Sequence, residues 1–124
     1  MSFDELYTEC QRTLEAPASP EQRLQALCEL LSTKVAHYDW FGFYMASRTE
    51  PVLVLGPFSG EPTDHVRIPF GRGICGQAAS SKETFLVDDV NAEGNYLACS
   101  LKVNSEIVVP VFAPDGSVAG EIDI

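Results

Sequence analysis

The chain has 124 residues, 45% hydrophobic and 21% charged, which suits one compact domain over residues 1–124 and leaves no room for two. Eight basic residues stand against 18 acidic ones, a formal charge of -10, so nucleic acid and anionic membrane surfaces are disfavoured as partners by repulsion. No apolar run approaches the ~18 residues of a membrane span, and the acidic start Met1-Ser2-Phe3-Asp4-Glu5 lacks the form of a secretory signal, which predicts a cytoplasmic protein.

Phe3, Leu6, Tyr7, Cys10 and Leu14 recur at helical spacing and predict a first helix that stops at Ala16-Pro17-Ala18. Ser19-Pro20-Glu21-Gln22 has the form of a second helix start: a serine cap, proline in the first turn, and glutamine three residues after the cap. Leu24, Leu27, Cys28, Leu31 and Val35 carry the apolar stripe of that helix. From Trp40 the texture changes. Residues 40–45 and 52–55 are β-rich and predict a hairpin across Ser47-Arg48-Thr49-Glu50-Pro51. A loop over 56–64 leads to a short strand at 65–68, and Gly71-Arg72-Gly73 opens a short helix over 74–79. Residues 84–87 form a further strand, and 88–104 read as irregular and polar. Two strands, 106–112 and 118–124, close the chain around the turn Pro114-Asp115-Gly116. This order gives an α+β domain, an antiparallel sheet with helices on one face.

The four cysteines, Cys10, Cys28, Cys75 and Cys99, contain no C-x-x-C pair. The short-spaced ligands of a structural zinc site are therefore missing, and no metal is expected. His37 and His65 have no metal partners at useful spacing either. Cys10 and Cys28 sit on helical apolar stripes and read as small buried hydrophobes. Cys75 follows Gly71-Arg72-Gly73 at a helix start, where free N–H groups and Arg72 favour a thiolate; a small residue packed among glycines fits the same position equally well. Cys99 alone reads as a buried loop cysteine or as a nucleophile. Asp88, Asp89 and Glu93 read as a solvated acidic loop.

Five strings recur in order at characteristic spacings: Tyr38-Asp39-Trp40-Phe41-Gly42-Phe43-Tyr44; Leu55-Gly56-Pro57-Phe58; Arg67-Ile68-Pro69-Phe70-Gly71-Arg72-Gly73-Ile74-Cys75-Gly76; Ala98-Cys99; and Ser105-Glu106-Ile107-Val108-Val109-Pro110. In these the chain resembles the GAF-domain free methionine-(R)-sulfoxide reductases. The resemblance implies a GAF fold, with a six-stranded antiparallel sheet, N-terminal helices on one face and a ligand pocket on the other. It implies that Cys99 is the catalytic cysteine and Cys75 a second redox cysteine. Trp40 and Tyr44 match the family's pocket aromatics, and Glu106 and Asp123 its acidic substrate-binding residues. Free methionine sulfoxide is the implied substrate. No bound cofactor is implied, only an external thiol reductant such as thioredoxin. Two positions depart from the family pattern. His65 stands where a third, resolving cysteine is usual, and Tyr96-Leu97-Ala98-Cys99-Ser100 replaces a His-Ile-Ala-Cys-Asp string. In the family a C-terminal helix follows the last strand, so the resemblance further implies that the natural protein continues beyond Ile124 for about one helix.

The residues suit that chemistry. A thiolate can take the sulfoxide oxygen and become a sulfenic acid, a second thiol can condense with it to a disulfide, and an external dithiol can reset the pair. A free amino acid brings an ammonium that must be satisfied on burial. If Ile122 and Ile124 face the core, strand alternation sends Glu121 and Asp123 to the opposite, ligand side. Trp40 and Tyr44, four apart on one strand, share a face and either wall a methylthio pocket or pack as ordinary sheet aromatics. Two other classes remain open: a GAF module that binds a small molecule without turning it over, favoured by His65 and Ser100, and a structural module that forms a homodimer through its N-terminal helices. Cyclic nucleotides are poorly served by acidic pocket residues. Bilin attachment lacks the usual histidine after the cysteine.

Overall fold

Two helices lead the chain, α1 (Phe3–Glu15) and α2 (Pro20–Lys34), in a computed structural model that describes residues 1–89 and 105–124. Serines start both. Ser2 Oγ accepts the Glu5 N–H at 3.2 Å. At α2 the bonds are reciprocal: Ser19 Oγ accepts the Gln22 N–H at 3.1 Å, and the Gln22 side-chain oxygen accepts the Ser19 N–H at 3.0 Å. The capping box read from the sequence is thus formed, satisfying two donors that a helix start leaves bare.

Six strands follow: β1 (Phe41–Ala46), β2 (Val52–Ser59), β3 (Arg67–Pro69), β4 (Phe85–Val87), β5 (Glu106–Phe112) and β6 (Val118–Asp123), with α3 (Gly73–Ser81) between β3 and β4. They form one sheet in the order β3-β2-β1-β6-β5-β4, every neighbour antiparallel. The last strand therefore inserts in the middle, between β1 and β5, which brings the chain's final acidic residues to the centre of the sheet. Among the described residues no helix is long and apolar enough to cross a membrane.

Strand alternation divides the core in two. Phe41 and Phe43 of β1 pack with Leu27 and Cys28 of α2, and Ile122 and Ile124 join them. Cys10 lies half-buried against the same cluster. On the other face Trp40, Tyr44, Leu53, Ile68 and Val108 pack with Ile74, Cys75, Ala78 and Ala79 of α3.

Two elements differ from the sequence reading. The third helix covers the sheet face opposite α2, so helices lie on both faces; a crossover returns over whichever face holds the matching apolar surface, and the small side chains of α3 fit over Tyr44 and Val108. Secondly, β2 runs on to Ser59 where a loop was expected. The β1–β2 register slips between Gly42 and Tyr44, which pair with Phe58 and Leu55, so Gly56 and Pro57 occupy a bulge opposite Phe43. Proline has no ladder N–H to lose at a bulge. Its carbonyl is used instead, accepting the Cys28 thiol at 3.5 Å.

Candidate functional site

The centre of the α3-covered face is acidic. Register sets Asp123 of β6 between Gly42 and Val108, and Glu121 between Tyr44 and Pro110. With Ile122 packed on the α2 side, both carboxylates point to the opposite face, as alternation predicts. Glu106 opens β5 two residues before Val108, on the same side. All three are buried: Glu106 is 5% exposed, Glu121 1% and Asp123 1%. Buried carboxylates are rare without a partner.

Cys75 meets them from above. Gly71 and Gly73 have positive φ (90° and 66°), and this left-handed turn swings the chain from β3 into α3. A Cβ on Gly76 would come within 2.6 Å of the Pro69 carbonyl oxygen, so only glycine allows the helix to start this close to the strand. The Cys75 Sγ then lies 3.4 Å from Asp123 Oδ2 and 3.8 Å from Glu106 Oε2. A thiol has a single proton, and the shorter contact makes Asp123 the better acceptor. The sequence reading placed Cys75 at a positive helix end beside Arg72. In the fold Cys75 is the third residue of α3 but its sulfur faces carboxylates, while Arg72 is exposed and makes no side-chain cap.

The aromatics line the same face. The Trp40 ring lies flat over Gly42, where an added Cβ would sit 2.5 Å from it, and stacks on Phe58 at 5.4 Å and Tyr44 at 6.4 Å between centroids. Their polar ends are tied to the loop between β2 and β3. Trp40 Nε1 donates to the Glu61 carbonyl at 2.9 Å, and the Tyr44 hydroxyl donates to the His65 carbonyl at 2.8 Å. His65, where the resemblance would place a third cysteine, thus touches Tyr44 through its backbone carbonyl. A cavity of about 480 Å³ opens at the end of the sheet and reaches both Trp40 and Glu106, with Tyr38, Asp88 and Ile124 along its walls.

Electrostatics mark the cluster as strained in charge. Burial, then the hydrogen bond and charge of Asp123, hold the Glu106 carboxyl far above the ordinary carboxylate range. Burial and Asp123 push Glu121 up to about 8. Neither Glu121 oxygen has a hydrogen-bond partner among the described residues, and Glu106 Oε1 has none either. Such a group is stable only with a proton or a cation.

The structure therefore gathers Trp40, Tyr44, Cys75, Glu106 and Asp123 on one face, and Cys28 and Cys10 on the other. Cys99 lies outside the described residues, as do Glu93 and most of the 88–104 segment. Glu121 was placed on the ligand side by alternation but not singled out; the available signal was its pairing with Asp123 on one face of an otherwise uncharged strand. The cysteine-spacing argument likewise overlooked that Cys75 meets acidic side chains 31 and 48 residues away in sequence.

Comparison with known proteins puts these residues in context. Residues 17–124 match the profile of the GAF domain. The chain is 47% identical over 87 residues to the Saccharomyces cerevisiae protein named free methionine-R-sulfoxide reductase, covering 69% of this chain and 48% of that one. It is 34% identical over 128 residues to the Escherichia coli protein of the same name, covering 100% of this chain and 75% of the relative. It thus spans about half the length of the yeast relative and three quarters of the bacterial one. Among solved structures, free methionine-R-sulfoxide reductase from Neisseria meningitidis in complex with its substrate superposes with a TM-score of 0.85 at 36% identity, covering 95% of this chain and 68% of that chain.

Proposed function

The chain belongs to the GAF-domain family, and from that membership we propose that it is a reductase of free methionine-(R)-sulfoxide. The observation that carries this reading is the buried group Glu106, Glu121 and Asp123 beneath an aromatic wall. It offers concentrated negative charge, out of water, to a ligand that brings an ammonium. Glu106 and Asp123 hold that ammonium, and the Trp40 and Tyr44 rings pack the methylthio end, where sulfur–aromatic contact is favourable.

The reaction uses two thiols. The Cys99 thiolate attacks the sulfoxide sulfur centre and takes its oxygen: the substrate S–O bond breaks, a sulfenic acid forms on Cys99, and methionine leaves as the thioether. The sulfenic oxygen takes its one proton from solvent; the Cys75 thiol then attacks the sulfenic sulfur, a disulfide forms, and the oxygen departs as water with that proton and the proton of Cys75. An external dithiol of thioredoxin type reduces the disulfide by exchange, which suits a reducing cytoplasm. A second reading, a GAF module that binds a small molecule without turnover, is favoured by His65 at the usual third-cysteine position.

The test is consumption of free methionine-(R)-sulfoxide with a dithiol reductant, against the S epimer and against Cys99→Ser. R-selective turnover lost in that variant supports the reductase. Binding of the amino acid without consumption supports the second reading.

A further inference from the structure

The donor set at the centre of the acidic face does not belong to an ammonium alone. Cys75 Sγ, one Glu106 oxygen and one Asp123 oxygen all lie within 4.8 Å of one another, and all three residues are buried. The sulfur-to-oxygen separations are 3.4 and 3.8 Å. A tetrahedral zinc ion with Zn–S near 2.3 Å and Zn–O near 2.0 Å sets its sulfur and oxygen ligands about 3.5 Å apart. Both sulfur-to-oxygen separations thus lie close to the spacing a metal would impose. From this the geometry points to a Zn2+ site formed by Cys75, Glu106 and Asp123.

A second, independent side chain points the same way. Glu121 is 1% exposed, lies on the same face two residues from Asp123, and has no partner on either oxygen among the described residues. An unpartnered carboxyl in this position can balance a cation held by its neighbours, as outer carboxylates do in metal sites. The free Glu106 oxygen offers a further ligand atom. Ligand chemistry then selects the ion. A thiolate donor in a dry site excludes Ca2+ and Mg2+, which want more oxygens or retained waters, and favours a borderline-soft ion. Three protein ligands leave a fourth position for water or for the second Glu106 oxygen, and of the three only Glu106 also lines the cavity at the end of the sheet.

A metal here occupies the place of the ammonium and ties up the Cys75 sulfur, so Zn2+ is an inhibitor; that consequence rests on the reductase reading, while the site itself does not. The direct test is titration of the reduced, chelator-stripped protein with Zn2+ against a chromophoric competitor, in the absence of any amino acid. One equivalent bound at micromolar Kd or tighter is expected. Cys75→Ser and Glu106→Gln should each weaken binding at least tenfold, and Cys28→Ala should not. With Co2+ as probe, a thiolate-to-metal charge-transfer band should appear in the wild type and vanish in Cys75→Ser. If Cys75→Ser fails to fold, Glu106→Gln carries the comparison alone. Absence of stoichiometric binding, or undiminished binding in the folded variants, overturns the site. Zn2+ binding with no R-selective turnover in chelator would leave the site standing and remove the reductase; turnover without Zn2+ binding would do the reverse.

Discussion

The two faces of the central sheet are made by the same strands and differ in almost every physical respect. Toward α2, Phe41 and Phe43 meet edge to face at 5.8 Å and bury Cys28, whose thiol is pushed up to about 12, chiefly by desolvation. Toward α3, the alternate residues of β1, β5 and β6 bring Tyr44, Glu106, Glu121 and Asp123 against Cys75. The comparison of the two cysteines is instructive. Both are buried, yet one donates to a backbone carbonyl among apolar rings and the other to a carboxylate. One face lowers the free energy of folding. The other stores buried charge, which costs stability and is retained where it serves a ligand.

Truncation on the apolar face should give the largest effect on stability. Phe43→Ala removes a ring that is 7% exposed and leaves a cavity against α2. The expected loss is about 3–5 kcal/mol, read from urea unfolding, with the KM of the folded fraction within about twofold of wild type. A loss under about 1 kcal/mol would mean that the helix face is not the principal core.

The second test lies on the acidic face and reverses the pattern. Glu106→Gln should weaken use of free methionine sulfoxide roughly ten- to a hundredfold, mainly in KM, since a charge-assisted hydrogen bond in a buried site contributes about 1.5–3 kcal/mol. Asp88→Asn, an exposed residue at the cavity rim, is the control and should stay within about twofold. Equal losses in steady-state kinetics would remove Glu106 from the binding group.

The same two faces explain what could be read in the sequence. Helix stripes and the Ser19–Gln22 box lie within a few residues of each other, so α1 and α2 were legible. Alternation in β1 and β6 was legible too, and it correctly sent Asp123 and Glu121 away from Ile122. The choice of face by α3 was not, because it depends on apolar surface contributed by strands far along the chain. Gly56-Pro57 reads locally as a turn; only pairing with β1 turns it into a bulge. The meeting of Cys75 with Asp123, 48 residues apart, is a product of β6 inserting beside β1, which no local pattern encodes.

The smallest effect, and the sharpest test of stored charge, is the pH dependence of stability. Glu121 ionises near its ordinary value of 4.5 when unfolded but is pushed up to about 8 in the fold. Below about pH 4.5 both states hold the proton and the residue contributes nothing to the difference. Between about 4.5 and 8 the folded state alone keeps it, so the unfolded state binds fewer protons and stability falls as pH rises. Above about 8 the full penalty is present. Glu106, also raised, acts with the same sign. Glu121→Gln should therefore match wild type near pH 4.5 and exceed it at pH 8 by about 1–3 kcal/mol, with a shallower slope between that Glu106 keeps from vanishing. Thermal melts across this range decide it. A Gln variant with the wild-type slope, or one less stable at pH 8, would mean that Glu121 finds a partner in the folded chain and that the acidic face carries no stored charge there.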